Sequence, residues 1–323
     1  MLFHIHLDYN LLFRILYMDF TEKILKNFLN LYWLRPETAI WRTLDVLQMK
    51  NSSFQNPILD AGCGDGSFTF THFLGKTSSS FDIYATIKNT KNYFHGKDIH
   101  NQTTSVKPKI IKNANKKIDV GMDWKDNLLD KAKDYNIYKK LVKHNLNKKF
   151  PFENNEFKTI FSNIFYWVDD PNFSLSETFR ILDKNGEVIL FLPDKNFKKY
   201  LIFNQYIKNN FKWAKILDRG IHDNIKHCYS HNEWKKIFSN NGFKIKFHST
   251  HLSNNLIKFW SIGLRPYSPF LIEMANKLEI SEKAKIKKRL INELYPLFRS
   301  YIDYEMTSPD KNNCFHMYVL TKS

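Results

Sequence analysis

Residues 57–66 read Pro-Ile-Leu-Asp-Ala-Gly-Cys-Gly-Asp-Gly, and this stretch decides the fold. A short apolar run ends in Asp60, and three glycines follow at alternate positions, Gly62, Gly64 and Gly66. This order is typical of a buried strand, a tight turn and a helix start, the arrangement that holds nucleotides outside the carboxyl ends of strands in α/β sheets. Glycine is needed because a side chain would keep the backbone away from the ligand, and because such turns often require a positive φ.

Strand and helix patterns alternate after this turn. The sequence predicts further strands at 118–124, 138–146, 157–165 and 187–192 and intervening helices at 68–74, 127–135 and 174–182. Strands that alternate with helices imply a parallel, doubly wound sheet with right-handed crossovers. The sequence therefore predicts an α/β fold.

The remaining segments are additions to this sheet. We expect a helical extension over residues 1–50, a core over 51–250 with an insertion at 77–117, a helical lid at 251–306 and a final strand within 307–323.

Local signals place elements inside these additions. Within the insertion, Phe81–Ile87 is interpreted as a strand or another ordered piece. Helical patterns cover Phe197–Leu217 and Ser230–Asn240, and Ser230 with Glu233 three residues later is a capping box.

The cysteine content indicates a reducing compartment. The three cysteines lie far apart and form no C-x-x-C pair, so a disulfide framework or a zinc site is not expected. Charged residues interrupt the apolar stretch Met1–Phe20, which is neither a signal peptide nor a membrane span. An interfacial membrane helix is the alternative there, and Met18 is a second candidate for the start. We expect a cytoplasmic protein without a transmembrane segment.

The net charge of +17 at pH 7 invites a nucleic-acid interpretation. Much of the excess is lysine that occurs together with abundant asparagine and isoleucine, which favours compositional drift. No RNA-binding module or aromatic platform is visible in the sequence. Binding of an anionic substrate, RNA or a membrane stays open as the alternative.

The glycine spacing distinguishes between nucleotides. A dinucleotide site has the pattern G-x-G-x-x-G, but Ser67 stands where its third glycine would be. Asp60 suits a ligand with a positively charged amino group better than a pyrophosphate. The stretch D-A-G-C-G-D-G resembles motif I of the class I S-adenosylmethionine (SAM)-dependent methyltransferases. Segments 145–157, 161–168 and 180–190 are similar to the type 11 branch, which includes quinone-biosynthesis enzymes.

The resemblance implies a Rossmann-like, mostly parallel seven-stranded sheet with an antiparallel last strand, and SAM as cofactor. It also implies a role for each matching position. Asp60 and the loop formed by Ala61, Gly62, Cys63, Gly64 and Gly66 would hold the methionine moiety. Asp123 would bind the ribose hydroxyls, Trp124 would flank the adenine, Asn145 with Leu146 would contact the adenine, and Ser162 with Asn163 would line the reactive side.

Each assignment has a structural alternative. Asp60 could be only a turn partner, Asp123 a solvated strand end, and Tyr166 and Trp167 core residues instead of walls of the acceptor pocket. Three features depart from the family pattern, namely Asn145 in place of aspartate, Lys158 in place of an acidic residue, and the insertion between motif I and Asp123.

No catalytic base can be named from the sequence, and His222 and Tyr166 are guesses. The histidines have no metal-ligand spacing, so no metal is predicted, and structural roles are favoured for five of them, His222, His227, His231, His248 and His251.

The leading hypothesis is a SAM-dependent methyltransferase that acts on a small-molecule or lipid-like acceptor. An RNA or tRNA methyltransferase and an inactive cofactor-binding partner subunit are the alternatives, and the glycine spacing disfavours a nicotinamide dehydrogenase. The acceptor and the oligomeric state cannot be predicted from these residues.

Overall fold

A computed structural model describes residues 9–87, 106–206, 225–263, 267–308 and 312–323, together with positions 212, 214, 218 and 221. Nine strands are found in these residues: β1 (Ile58–Ala61), β2 (Lys76–Thr77), β3 (Ile110–Lys112), β4 (Ile118–Asp123), β5 (Tyr138–Lys143), β6 (Phe157–Ser162), β7 (Leu182–Pro193), β8 (Phe243–Ser253) and β9 (Asn313–Lys322). The described helices are α1 (Tyr9–Leu31), α2 (Pro36–Gln48), α3 (Ser67–His72), α4 (Asp126–Asp134), α5 (Pro171–Ile181), α6 (Ile202–Tyr206), α7 (His231–Asn240), α8 (Asn254–Ile262), α9 (Ser268–Ala275) and α10 (Ile280–Thr307).

Seven strands form one sheet in the order β5-β4-β1-β6-β7-β9-β8. Strand β1 pairs in parallel with both β4 and β6, and β9 is antiparallel to both of its neighbours. The predicted mostly parallel sheet with an antiparallel last strand is confirmed. Every residue of β1 is buried, as expected for a central strand covered by helices on both faces.

Several element boundaries differ from the sequence prediction, among them the end of β6 and the start of α5. Strand β6 ends at Ser162 and not at Phe165, because residues 165–167 form a single turn of 3-10 helix. Helix α5 begins at Pro171, since Asp170 caps it by accepting a hydrogen bond from the Asn172 backbone N–H. The apolar periodicity alone placed both boundaries several residues too late.

The insertion is attached at its base by a small antiparallel ladder between β2 and β3. Residues 81–87 are an ordered, largely buried turn and not a strand. Asp82 anchors them, because it accepts a hydrogen bond from Trp33 Nε1 at 3.1 Å and forms an ion pair with Lys283 at 3.3 Å. Residues 88–105 lie outside the described residues.

Helix α2 packs across the end of the sheet where β7 stops. The Trp41 ring contacts Trp260 on α8 at 4.7 Å and Phe315 on β9 at 5.0 Å between ring centroids. Within the helical extension expected over residues 1–50, the structure has α1 and α2, with a break before Pro36. The division of the chain into core and lid remains a prediction.

Two further predictions concern the second half of the chain. The capping box at Ser230 and Glu233 is confirmed, and it begins α7. Positions 207–211, 213 and 215–217 of the helix predicted over Phe197–Leu217 lie outside the described residues; its described beginning is a 3-10 turn followed by α6. Among the described helices, none is both long enough and apolar enough to cross a membrane.

Candidate functional site

The loop between β1 and α3 is built from glycines in the left-handed region. Gly62, Gly64 and Gly66 have φ values of +87°, +57° and +76°. The backbone N–H groups of Gly62 and Cys63 both donate to the Met122 carbonyl oxygen, at 2.7 and 3.0 Å. The loop is therefore fixed to the end of β4, as a fold that presents a ligand at this edge requires.

Two of these glycines have opposite surroundings. A Cβ added to Gly62 would lie 2.2 Å from Ile164 Cδ1, whereas a Cβ added to Gly64 would have no atom within 4 Å. The space beside Gly64 is thus open, and a ligand can approach its backbone there. The predicted binding of the methionine end of SAM by this loop stays a prediction.

Asp123 holds the loop at the end of β4. Its Oδ2 accepts a hydrogen bond from the Gly64 N–H, and its Oδ1 accepts one from the Lys125 N–H, each at 3.0 Å. Since each carboxylate oxygen can accept a second bond, both retain capacity for hydroxyl donors. Trp124 follows and is 59% exposed, and the Lys125 ammonium lies 5.5 Å from its ring centroid.

The Asp60 side chain is buried more deeply than we expect for a residue that contacts the cofactor directly. Its side chain is 2% exposed, and Oδ2 accepts hydrogen bonds from Thr69 Oγ1 at 2.5 Å and from the Tyr138 hydroxyl at 2.7 Å. Burial raises the pKa of Asp60 to about 6, an effect opposed by these two hydrogen bonds and reinforced by Asp123. Asp60 therefore also anchors α3 and β5 beneath the loop.

Sequence reasoning missed Tyr138 and Thr69. A Cβ added to Gly121 on β4 would lie 2.7 Å from Tyr138 Cδ1, so this glycine makes room for the ring. A glycine inside an otherwise apolar strand was the available signal for such a close approach.

The segment after β5 lies beside Asp123, because the His144 N–H donates to the Asp123 carbonyl oxygen at 2.8 Å. The side-chain oxygen of Asn145 accepts a hydrogen bond from the Asn147 N–H at 2.9 Å, which fixes its orientation. Leu146 is buried, and its carbonyl accepts from Ser174 Oγ. Their predicted adenine contacts remain predictions.

The end of β6 lies next to the glycine loop. Ser162 is fully buried, and its Oγ donates to the Ala61 carbonyl oxygen at 2.7 Å, so this side chain ties β6 to β1. Asn163 is half-buried and Ala61 is fully buried. Burial also raises the pKa of the Cys63 thiol, which keeps it protonated. The predicted role of Ser162 on the reactive side stays a prediction.

The predicted pocket residues form the 3-10 turn that follows. Trp167 is 50% exposed, whereas Tyr166 is buried with its ring edge-on to Phe315 at 5.9 Å. Burial raises the pKa of Tyr166, so its phenol is a poor proton acceptor at neutral pH.

A buried hydrogen-bonded pair, Asp45 and His251, lies at the same edge of the sheet. His251 Nε2 lies 2.8 Å from Asp45 Oδ1, and Asp45 Oδ2 accepts from Arg42 Nη1 at 3.1 Å. His251 pairs with Phe315 across β8 and β9, near the end of β7. Its Nδ1 is buried without a hydrogen-bond partner in the described part of the chain. No local pattern could have joined residues 206 positions apart.

Helix α2 links this pair to the glycine loop. The Arg42 guanidinium lies 5.5 Å from the ring centroid of Phe68, which follows the loop in α3. Tyr32, in the connection between α1 and α2, lies close to both Arg42 and Ser67. The loop and the Asp45–His251 pair therefore border one region.

Comparison with known families agrees with this geometry. Residues 108–190 match the type 11 family described as a methyltransferase domain. The chain carries a methyltransferase domain. The match begins after the insertion, so the glycine loop lies outside it and is joined to it through Asp123. Members of this family use SAM, and the methyltransferase domain therefore implies this cofactor.

Several of the solved structures to which this chain is similar are named as methyltransferases. One is a SAM-dependent methyltransferase from Thermotoga maritima, with 16% identity, a TM-score of 0.41, and coverage of 72% of this chain and 84% of that one. A geranyl diphosphate methyltransferase in complex with SAM shares 12% identity with a TM-score of 0.41, covering 89% and 90%. A methyltransferase bound to the Haloferax volcanii Trm112 activator has 16% identity and a TM-score of 0.40, covering 66% and 73%. A search of curated proteins found no match.

Proposed function

We propose that the methyltransferase domain transfers a methyl group from SAM to a small-molecule or lipid-like acceptor. The acceptor would bind between the Tyr166–Trp167 turn and the Asp45–His251 pair. The observation that carries the proposal is the open glycine cradle fixed to Asp123 by the Gly64 hydrogen bond.

The chain's own residues would bind and orient the reactants. When bound, SAM supplies an electrophilic methyl group, so the protein mainly aligns the acceptor and excludes water. The Gly64 backbone leaves room for the methionine end, Asp123 keeps acceptor capacity for the ribose hydroxyls, and Trp124 presents an exposed ring for the adenine.

An oxygen or nitrogen acceptor must lose a proton as its new bond to the methyl carbon forms. We propose that His251 Nδ1 receives this proton, since it has no other partner in the described residues; because this atom is buried, binding of the acceptor must first give access to it. Asp45 holds the opposite ring nitrogen and would stabilise the charge that His251 gains.

Aromatic side chains at this edge support an apolar acceptor. Phe315 and Phe191 flank the His251 ring, at 6.2 and 5.3 Å between centroids, and Trp167 is half-exposed nearby. The charge of +17 supports RNA as the second candidate acceptor.

Binding of SAM is the first test. Titration calorimetry should detect binding to the full chain, and Asp123→Ala should weaken it about tenfold or more, because two ribose hydrogen bonds are lost. Asp126→Ala is the matched control, since Asp126 lies three residues later, is exposed and pairs with Lys143. Equal affinity in all three proteins would refute the site.

The acceptor class needs a separate test. The protein is incubated with methyl-labelled SAM and a cell extract, which is then divided into organic-soluble and RNA fractions. We expect label in the organic-soluble fraction that His251→Asn greatly reduces. Label in the RNA fraction would show that the acceptor is RNA and not a small or lipid-like molecule. Binding of SAM without transfer of label to any fraction would favour an inactive partner subunit.

A further inference from the structure

A cavity of about 410 Å³ lies at the opposite edge of the sheet from the glycine loop. Strands β7 and β8 begin there and β9 ends there, whereas the glycine loop follows the carboxyl end of β1. The lining includes Lys184, Glu187, Lys244, Lys246, Thr321 and Lys322. Its position makes it independent of the methyl-transfer site.

The register of the strands brings these side chains together. Lys244 and Thr321 are directly paired across β8 and β9, so their side chains lie on the same face. Lys246 lies at a register shift between Ile245 and Phe247, and its ion pair with Glu187 on β7 holds it at this end of the sheet. The positions of Lys244 and Thr321 are thus fixed by backbone pairing.

Positive charge in this cavity is poorly compensated. The lining carries four lysines and a single carboxylate, Glu187, which forms an ion pair with Lys246. Within the described part of the chain, no acidic partner pairs with Lys184 or Lys244. An anion that bound here would relieve repulsion among the ammonium groups.

Lys322 and Thr321 add two unusual groups. Burial lowers the pKa of Lys322; Asp183 opposes this effect and the nearby Lys184 adds to it. Its Nζ donates to a neutral acceptor, Asn155 Oδ1, at 2.8 Å. The Thr321 hydroxyl is buried and has no hydrogen-bond partner among the described residues. A buried donor without an acceptor requires an explanation, and an anionic oxygen would supply one.

We infer that this cavity binds a small ligand with two or three linked phosphate groups. Lysine ammonium groups bind phosphate as compact point charges with several donors. The volume falls in the range of small-molecule sites, roughly 300–1,000 Å³. No aromatic ring lines the cavity, so the stacking platform that single-stranded RNA uses is missing from its described lining.

The probe for the test is inorganic tripolyphosphate, titrated into the full chain by calorimetry at about 50 mM and about 200 mM salt. The double variant Lys184→Ala/Lys244→Ala should bind about tenfold more weakly at the lower salt concentration. The control is Lys235→Ala/Lys236→Ala, which removes the same charge from the exposed face of α7. Its affinity should stay within about twofold of the unchanged protein. Equal losses in the two double variants would assign the attraction to overall charge and overturn the proposal.

A second variant separates ligand binding from folding. Thr321→Val keeps the shape of the side chain and removes an unpaired buried hydroxyl, so the free protein should be equally or more stable. Its affinity for tripolyphosphate should nevertheless fall about threefold, because a donor to the anion is lost. A loss of stability together with unchanged affinity would contradict the assignment of this hydroxyl.

Two further measurements distinguish the cavity from the SAM site and from an RNA-binding surface. Binding of SAM should be unchanged in the cavity variants, so failure of this proposal and failure of the methyltransferase site are distinguishable. A single-stranded oligouridine of about 20 nucleotides is the competing probe. If it binds more tightly than tripolyphosphate and loses affinity in Lys184→Ala/Lys244→Ala, the cavity is an RNA contact and our inference is wrong.

Discussion

The two ends of the sheet edge that carries the proposed site bring their residues together in different ways. On the β1–β4 side, a loop of alternating glycines is held by backbone hydrogen bonds to Met122 and by Asp123. On the β7–β8 side, Asp45 and His251 meet only because α2 packs against the sheet. The comparison suggests that a cofactor site can be encoded in a short motif, whereas an acceptor site depends on how distant elements pack.

Loss of the carboxylate that Arg42 and His251 share should have the largest effect. Asp45→Ala leaves Arg42 and His251 without their shared carboxylate, and we expect a loss of about 3–5 kcal/mol in the free energy of unfolding. Urea unfolding measures it. Asp169→Ala is the control, because its ion pair with Lys226 is exposed. Similar small losses in both variants would show that the β7–β8 side does not depend on this contact.

Gly62 and Gly64 form a matched pair on the β1–β4 side. Gly62→Ala combines an unfavourable φ with a clash against Ile164 and should destabilise the protein by about 2–4 kcal/mol. Gly64→Ala has a similar φ but open space, so its loss should be nearer about 1 kcal/mol.

Affinity for SAM should separate these two variants further. We expect Gly64→Ala to weaken binding strongly although it folds, because its new methyl group projects into the open cradle. Ile164→Ala should restore part of the stability lost in Gly62→Ala. If Gly64→Ala bound SAM normally, the cradle would not be where the cofactor lies.

Asp60 makes stability depend on pH. Its folded-state pKa of about 6 lies above the ordinary value of 3.8, so the folded protein binds the proton more tightly than the unfolded chain. Protonation of Asp60 therefore stabilises the folded protein by a total of about 2–3 kcal/mol. This stabilisation is fully present below about pH 4 and is lost as the pH rises to about 6. We therefore expect the free energy of unfolding, measured with denaturant between these pH values, to change less with pH in Asp60→Asn than in the unchanged protein. Parallel curves for the two proteins would contradict the raised pKa.

The helix cap of α7 should give the smallest effect. Ser230→Ala removes the side-chain acceptor for the Glu233 N–H and should cost about 1 kcal/mol. Ser176→Ala is a suitable control, because Ser176 is exposed in α5 and its hydroxyl bonds only to the Phe173 carbonyl. If Ser230→Ala lost more free energy of unfolding than Gly62→Ala, the stability of the β7–β8 side would depend on local sequence signals more than we infer.

The sequence predicts the sheet, the glycine loop and the position of Asp123 because each depends on local patterns. The same holds for Ser230 and Glu233, whose capping box lies within a single helical turn. The partners of Asp60 were not predictable in this way, since Tyr138 reaches it only through the register between β4 and β5. The meeting of Asp45 and His251 requires the packing of α2, for which no spacing rule exists.

The position of Ile164 limits which residues near the proposed acceptor site can be substituted. Its side chain fills the position that a methyl group on Gly62 would need, and it directly precedes the turn that carries Tyr166 and Trp167. A shift of that turn would therefore remove the packing contact between Ile164 and the glycine loop. Variants selected for a different acceptor should accumulate at Trp167 and beyond, while position 164 retains a residue of similar volume.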